Sequence, residues 1–251
     1  MPKKSINELQ REHHPSVIKQ RLREPQRHQY ISDAVLGGID GCITTFAVVA
    51  GAYGAGFSSS IAIVLGFANL LADGFSMAVS NYEAIRTQQE FVDKIAAVEA
   101  EHIAAVPDGE REEIRQIYAN KGFSGETLDA ITEQVTSDHK LWINTMLTEE
   151  HGLQRHTAEP LLAGLTTFIA FLLVGSCPLL PLLWPELTPN TAFVLSIACE
   201  GLIFFVIGSL KGFALNKPPI LAGLRTLATG GCAAILAFYA GDLLERLFIV
   251  S

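Results

Sequence analysis

Five stretches of this chain are apolar over the length that a bilayer demands, and the first of them has a carboxylate at its centre. A membrane-spanning helix needs about 20 apolar residues, and residues 31–53 supply them around Asp40. A charged side chain at that depth costs at least about 2.5 kcal/mol on insertion scales, so such residues face a bundle interior or a watery path and bind something. Asp40 is therefore the first candidate for function. Gly37, Gly38 and Gly41 beside it allow a second helix to approach the backbone closely. The other apolar stretches lie at about 60–83, 160–183, 191–210 and 220–241. Proline and glycine inside them are tolerated by membrane helices.

Composition agrees with a chain that is neither soluble throughout nor buried in lipid throughout. Of its 251 residues 49% are hydrophobic, and the mean hydropathy is +0.31. The charges are segregated: residues 86–158 hold 14 of the 26 acids and 7 of the 18 bases. The expected fold is an all-α membrane protein of five transmembrane helices, with a cytoplasmic helical insert between the second and third spans. Residues 1–30 form a basic cytoplasmic segment, 31–85 the first two spans, 86–158 the insert, and 159–251 the last three spans. Lys3, Lys4, Arg11, Lys19, Arg21, Arg23 and Arg27 precede the first span, whereas the 54–59 and 184–190 loops have no Lys or Arg. The positive-inside rule then puts the N-terminus, the insert and the 211–219 loop in the cytoplasm. The charged start has no cleavage site of a signal peptide. Cys42, Cys177, Cys199 and Cys232 all fall within spans and form no CxxC pair, which reads as small apolar filler.

Within the insert, 81–105 has no Pro or Gly and extends the second span as a helix. Pro107-Asp108-Gly109 marks a turn. Asp108 is expected to cap a helix over 110–120, with Gly122 ending it. Ser124 opens another helix to about 136, and a last one over 138–156 leads into the third span. Glu99 and His102 are spaced i, i+3 and share a face, as do Glu110 and Glu113. Met146 and Glu150 are spaced i, i+4, with Glu149 adjacent. Carboxylate and imidazole suit a first-row divalent ion, and a thioether favours Fe(II) over Mg(II) or Ca(II). The same spacings are common on solvated helix faces. Glu99-Ala-Glu-His102 also fits the Glu-x-x-His element of di-iron bundles, which need two such elements. A membrane-anchored ferritin-like or iron-oxidising protein is therefore the alternative reading, and a metal-sensing scaffold a third.

The chain resembles the vacuolar iron transporter family over about residues 28–245. The resemblance rests on Asp33-Ala-Val-Leu-Gly-Gly-Ile-Asp40-Gly, Ala72-Asp-Gly-Phe-Ser-Met77-Ala-Val-Ser-Asn-Tyr82, Ile103-Ala-Ala-Val-Pro-Asp108 and Ile207-Gly-Ser-Leu-Lys211-Gly, and on the order two spans, acidic insert, three spans. It implies a homodimeric carrier, not an enzyme, that moves Fe(II), and often Mn(II), out of the cytosol against protons. It implies no organic cofactor and no nucleic-acid partner. The membrane would be a bacterial plasma membrane, or a vacuolar one in a eukaryote. By position, the pathway residues are Asp40 and Met77, and the insert ligands are Glu99, Glu110, Glu113, Glu150 and Met146. The chain departs from the family pattern at Asn69, where a glutamate is expected, at His102, which replaces an insert glutamate, and at Leu147, which replaces a methionine. Asp73 and Glu200 stand where neutral residues are expected. Asn69, Asp73 and Met77 are spaced i, i+4, i+8 and form one stripe, so Asp73 is placed to take over the missing charge. For Glu200, proton relay and helix packing both remain open, and Asp33 reads as a cap of the first helix.

Overall fold

The computed structural model describes residues 5–23, 30–155, 158–214 and 216–248, and all regular structure among them is helical. In chain order the helices are α1 (Ile6–Glu12), α2 (Pro15–Arg23), α3 (Ile31–Gly54), α4 (Ser59–Ala105), α5 (Pro107–Asn120), α6 (Gly125–Thr136) and α7 (His139–Glu149). Then come α8 (Pro160–Gly175), a 3-10 helix (Cys177–Leu183), α9 (Pro189–Ala214) and α10 (Pro219–Phe248). Five of these segments are long and apolar enough to cross a membrane: α3, α4, α8 with its 3-10 extension, α9 and α10. The chain divides into two compact units, one of Met1–Tyr82 with Glu159–Ser251 and the other of Glu83–Ala158. The 47-residue α4 runs through both without a break, as the lack of Pro and Gly over 81–105 anticipates.

In the first unit, helices meet backbone to backbone. A Cβ added at Gly41 would lie 2.6 Å from the Phe171 carbonyl oxygen, and one at Gly241 would lie 2.3 Å from that of Gly51. Only glycine permits such approach, which gives α3 its dispersion contacts with α8 and α10 where lipid offers no hydrophobic drive between helices. Val49, Leu70, Phe171 and Leu179 form the core of this unit. Many large apolar side chains, Phe75, Leu161, Leu202 and Leu236 among them, are exposed instead, as a hydrocarbon solvent allows. The third span is not α-helical throughout. It ends its α turns at Gly175 and continues as a 3-10 helix containing Pro178 and Pro181, whose missing N–H groups interrupt the α ladder.

Asp33 does not cap the first span. The cap position is Tyr30, without a side-chain bond, and the buried Asp33 accepts from Asn81 Nδ2 at 2.9 Å. Asn81 also donates to Thr167 Oγ1 at 2.9 Å, so one amide ties α3, α4 and α8 together.

The second unit packs the outer part of α4 with α5, α6 and α7 around Ile103, Ile114, Val135, Trp142 and Met146. A smaller cluster joins Val92, Ala96 and Leu147. Two boundaries differ from expectation. Asp108 lies in the first turn of α5 and not at its cap, because Pro107 takes the first helical position, where its absent N–H costs nothing. The last helix stops at Glu149 and does not continue to 156. Gly152 has φ +64, a conformation that glycine adopts freely, and Leu153 N–H bonds the Leu147 carbonyl at 2.7 Å. The expected junction at 156–157 lies outside the described residues.

Candidate metal sites

The turn at Gly152 builds the first site. It leaves His151 just beyond α7, where its Nε2 sits 2.9 Å from Glu99 Oε1 and 3.7 Å from Glu150 Oε2. Glu99, on α4, is 4% exposed. On the same helix, His102 Nδ1 lies 3.6 Å from Oε1 of Glu110, which α5 supplies. Two triads result, Glu99–Glu150–His151 and Glu99–His102–Glu110, with the ligand atoms of each within 4.8 Å of one another. Glu99 belongs to both.

The electrostatics suit a cation. Glu110 is 4% exposed, and its Oε2 is buried with no hydrogen-bond partner. Burying an unpaired carboxylate is costly, and burial holds Glu110 above the ordinary carboxylate range, with the negative charges of Glu113 and Glu99 adding to the rise. Glu150 is raised too, first by burial, then by Glu113 and Glu99 against the opposing His151. A divalent ion among these groups would satisfy the orphaned oxygen and reverse the repulsion. Two imidazoles with three carboxylates form a donor set for borderline first-row divalent ions rather than for Ca(II) or Mg(II).

The remaining insert candidates are placed differently. Glu113 is exposed and acts on Glu110 and Glu150 through its charge. Met146 is fully buried in the apolar cluster of the insert. Glu149 forms an ion pair with Lys121. His151 is the ligand candidate that spacing arguments missed. The signal lay in Gly152, which read as part of a helix although glycine in the left-handed region commonly ends one.

A second group lies in the spans. Asn69 Nδ2 donates to Thr44 Oγ1 at 3.4 Å, and Thr44 Oγ1 in turn donates to the Asp40 carbonyl at 3.0 Å. Asp73 interacts electrostatically with Asp40. Met77 is partly buried against the Val49, Leu70, Phe171 and Leu179 cluster. Asn81, one further turn along, extends the stripe of Asn69, Asp73 and Met77 to its bond with Asp33. The stripe thus faces the acidic side of α3 at three levels, with two aspartates at the central one.

Residues 31–242 match the sequence profile of the VIT family. A vacuolar iron transporter of Toxoplasma gondii (strain ATCC 50861 / VEG) is 31% identical over 225 residues, which cover 86% of this chain and 74% of that protein. Vacuolar iron transporter 1 of Arabidopsis thaliana is 29% identical over 221 residues, covering 87% of each chain. A vacuolar iron transporter of Plasmodium berghei (strain Anka) is 26% identical over 242 residues, or 93% of this chain and 89% of that one.

Proposed function

We propose, from the premise that the chain belongs to the VIT family, that it carries Fe(II) out of the cytosol in exchange for protons, with Mn(II) as a second substrate. The observation that carries the reading is the pair Asp40 and Asp73, on α3 and α4, interacting inside two helices suited to span a membrane. Carboxylates at that depth bear a large desolvation cost unless a cation or a proton accompanies them. A divalent ion must shed water to cross hydrocarbon, and Asp40, Asp73, Asn69 and Met77 offer oxygen and sulfur in its place. Metal binding displaces protons from such groups, which links metal entry to proton release. Met77 adds preference for Fe(II) over the harder Mg(II).

In this reading the insert is cytoplasmic and gathers ions through Glu99, His102, Glu110, Glu150 and His151, with Glu113 contributing field. A homodimer would supply the pathway with a second, symmetric ligand set. The ferritin-like alternative calls for a second Glu-x-x-His helix element. The second imidazole here, His151, comes from the turn after α7 and adjoins Glu150 directly.

The test is Fe(II) entry into proteoliposomes holding the full chain, with and without an acidic lumen. The reading predicts entry above that of protein-free liposomes and acceleration by the acid lumen. Equal entry in the two preparations would overturn it.

A further inference from the structure

Glu200 takes no part in either metal group, yet it is an acid buried inside a span. It lies on α9, is 4% exposed, and its Oε1 is buried with no hydrogen-bond partner. It lines an open cavity of about 420 Å³ formed by α3, α9 and α10, whose walls include Phe46, Phe193, Phe204 and Phe238 and whose mouth lies beside the exposed Ile235 and Tyr239. Gly231 leaves part of this space open, since a Cβ there would meet nothing within 4 Å. One turn before Glu200, the Ser196 hydroxyl is committed to the Pro178 and Ala192 carbonyls.

We propose that Glu200 and this cavity form a proton-binding site, separate from the metal stripe, that loads and releases the counter-ion of the exchange. The inference rests on the transport reading above. A glutamate kept for packing alone would turn its oxygens to donors, and Oε1 of Glu200 turns to none. A divalent ion is a poor ligand for this place, because Fe(II) or Mn(II) needs several donors and the cavity wall supplies one carboxyl among hydrocarbon and aromatic rings. A proton needs only one. Burial in apolar surroundings without a partner favours the neutral acid over the carboxylate. The cavity has room for several waters, which occupy such space only when a polar group holds them. Loss of the proton thus draws water in, and its return expels it. The titratable groups facing Glu200 are Cys42 on α3, whose thiol interacts with it, and Tyr239 on α10, which shares the cavity wall. The cavity wall has no lysine, arginine or histidine to hold Glu200 as a permanent ion pair.

Dicyclohexylcarbodiimide tests the site directly. It is hydrophobic and couples to carboxylic acids in apolar places: the acid proton passes to a carbodiimide nitrogen, the carboxyl oxygen bonds to the central carbon, and the adduct rearranges to a stable N-acylurea. The full-length protein in liposomes is labelled from mildly acidic to mildly alkaline pH and mapped by peptide mass spectrometry. Glu200 should be modified, less so as pH rises, and Glu200→Gln should abolish that adduct. In flux assays, Glu200→Gln should lose the stimulation of Fe(II) entry by an acid lumen, and Glu200→Asp should retain part of it. A folded wild type unlabelled at Glu200 across the pH range, or full stimulation in Glu200→Gln, would overturn the proposal. If wild type moved no Fe(II) at all, the transport reading would fall, and labelling would still decide whether Glu200 holds a proton.

Discussion

Glu99→Gln separates a metal ligand from a structural acid, because the two roles predict opposite signs. Gln keeps the shape of Glu99 and still accepts from His151 Nε2, now 2.9 Å away, but removes one negative charge shared by both triads. Like unit charges at 4.8 Å, the outer limit within a triad, repel by about 3.5 kcal/mol at an effective dielectric constant near 20. That figure is a ceiling, since His102 and Glu150 are exposed and water screens the charges around them. Without metal the variant insert should therefore be more stable at neutral pH, by a fraction of that ceiling. With metal the sign reverses. Even changes in groups that only orient a ligand cost about 10- to 100-fold in affinity, so losing a carboxylate common to both triads should weaken Mn(II) binding by at least about ten-fold. Hydrogen exchange of the full-length protein in detergent reads the first effect across residues 107–149, and calorimetric Mn(II) titration reads the second. Lower protection in the metal-free variant together with unchanged Mn(II) binding would refute the reasoning and make Glu99 a structural partner of His151.

Further outcomes follow from the same geometry. Glu110 and Glu150 are raised in the folded state, so their contribution to the metal-free insert is fully present below the ordinary carboxylate range near 4.3 and is lost as pH rises through their folded values. Hydrogen exchange in 107–149 should accelerate over that rise, and saturating Mn(II) should flatten the trend; an unchanged slope with Mn(II) would count against ligation there. Asn81→Leu removes a hydrogen bond to buried Asp33 and should cost about 1.5–3 kcal/mol, read as a lower melting temperature in detergent; an unshifted melt would show that Asn81 does not tie the helices. Asp73→Asn should stop Fe(II) flux if Asp73 has replaced the charge missing at Asn69, and wild-type flux would end that idea alone. Met77→Leu preserves volume and should lower Fe(II) flux while the fold survives, with equal flux showing that the thioether only packs.

The five apolar segments were legible because a bilayer imposes a length and a composition that few other folds satisfy. So was the uninterrupted helix out of the second span, since nothing over 81–105 can break it. The ends of helices were harder to read. Pro107 and Asp108 both suit a helix start, and the fixed φ of proline prevailed. Gly152 looked tolerable inside a helix, yet its positive φ ends α7 and sets His151 against Glu99. Spacing along one helix found Glu99 with His102, but it could not find partners supplied by other elements, and so it missed Glu110 against His102 and His151 against Glu99. Nor could it show that Glu149 forms an ion pair with Lys121. The stripe of Asn69, Asp73 and Met77 followed from periodicity, while its continuation through Asn81 to Asp33 depends on helix pairing that a single sequence does not specify. Glycine placement tells the same story: Gly41 was read as a surface for another helix, and the structure shows that α8 of the same chain uses it.

The central claim is that a carboxylate inside the first span carries the metal. Asp40→Asn keeps size and hydrogen bonding and removes only the charge. Initial Fe(II) flux into proteoliposomes, at matched protein content and with an acid lumen, should fall to that of protein-free liposomes while the purified variant remains folded. Wild-type flux in Asp40→Asn would contradict the account.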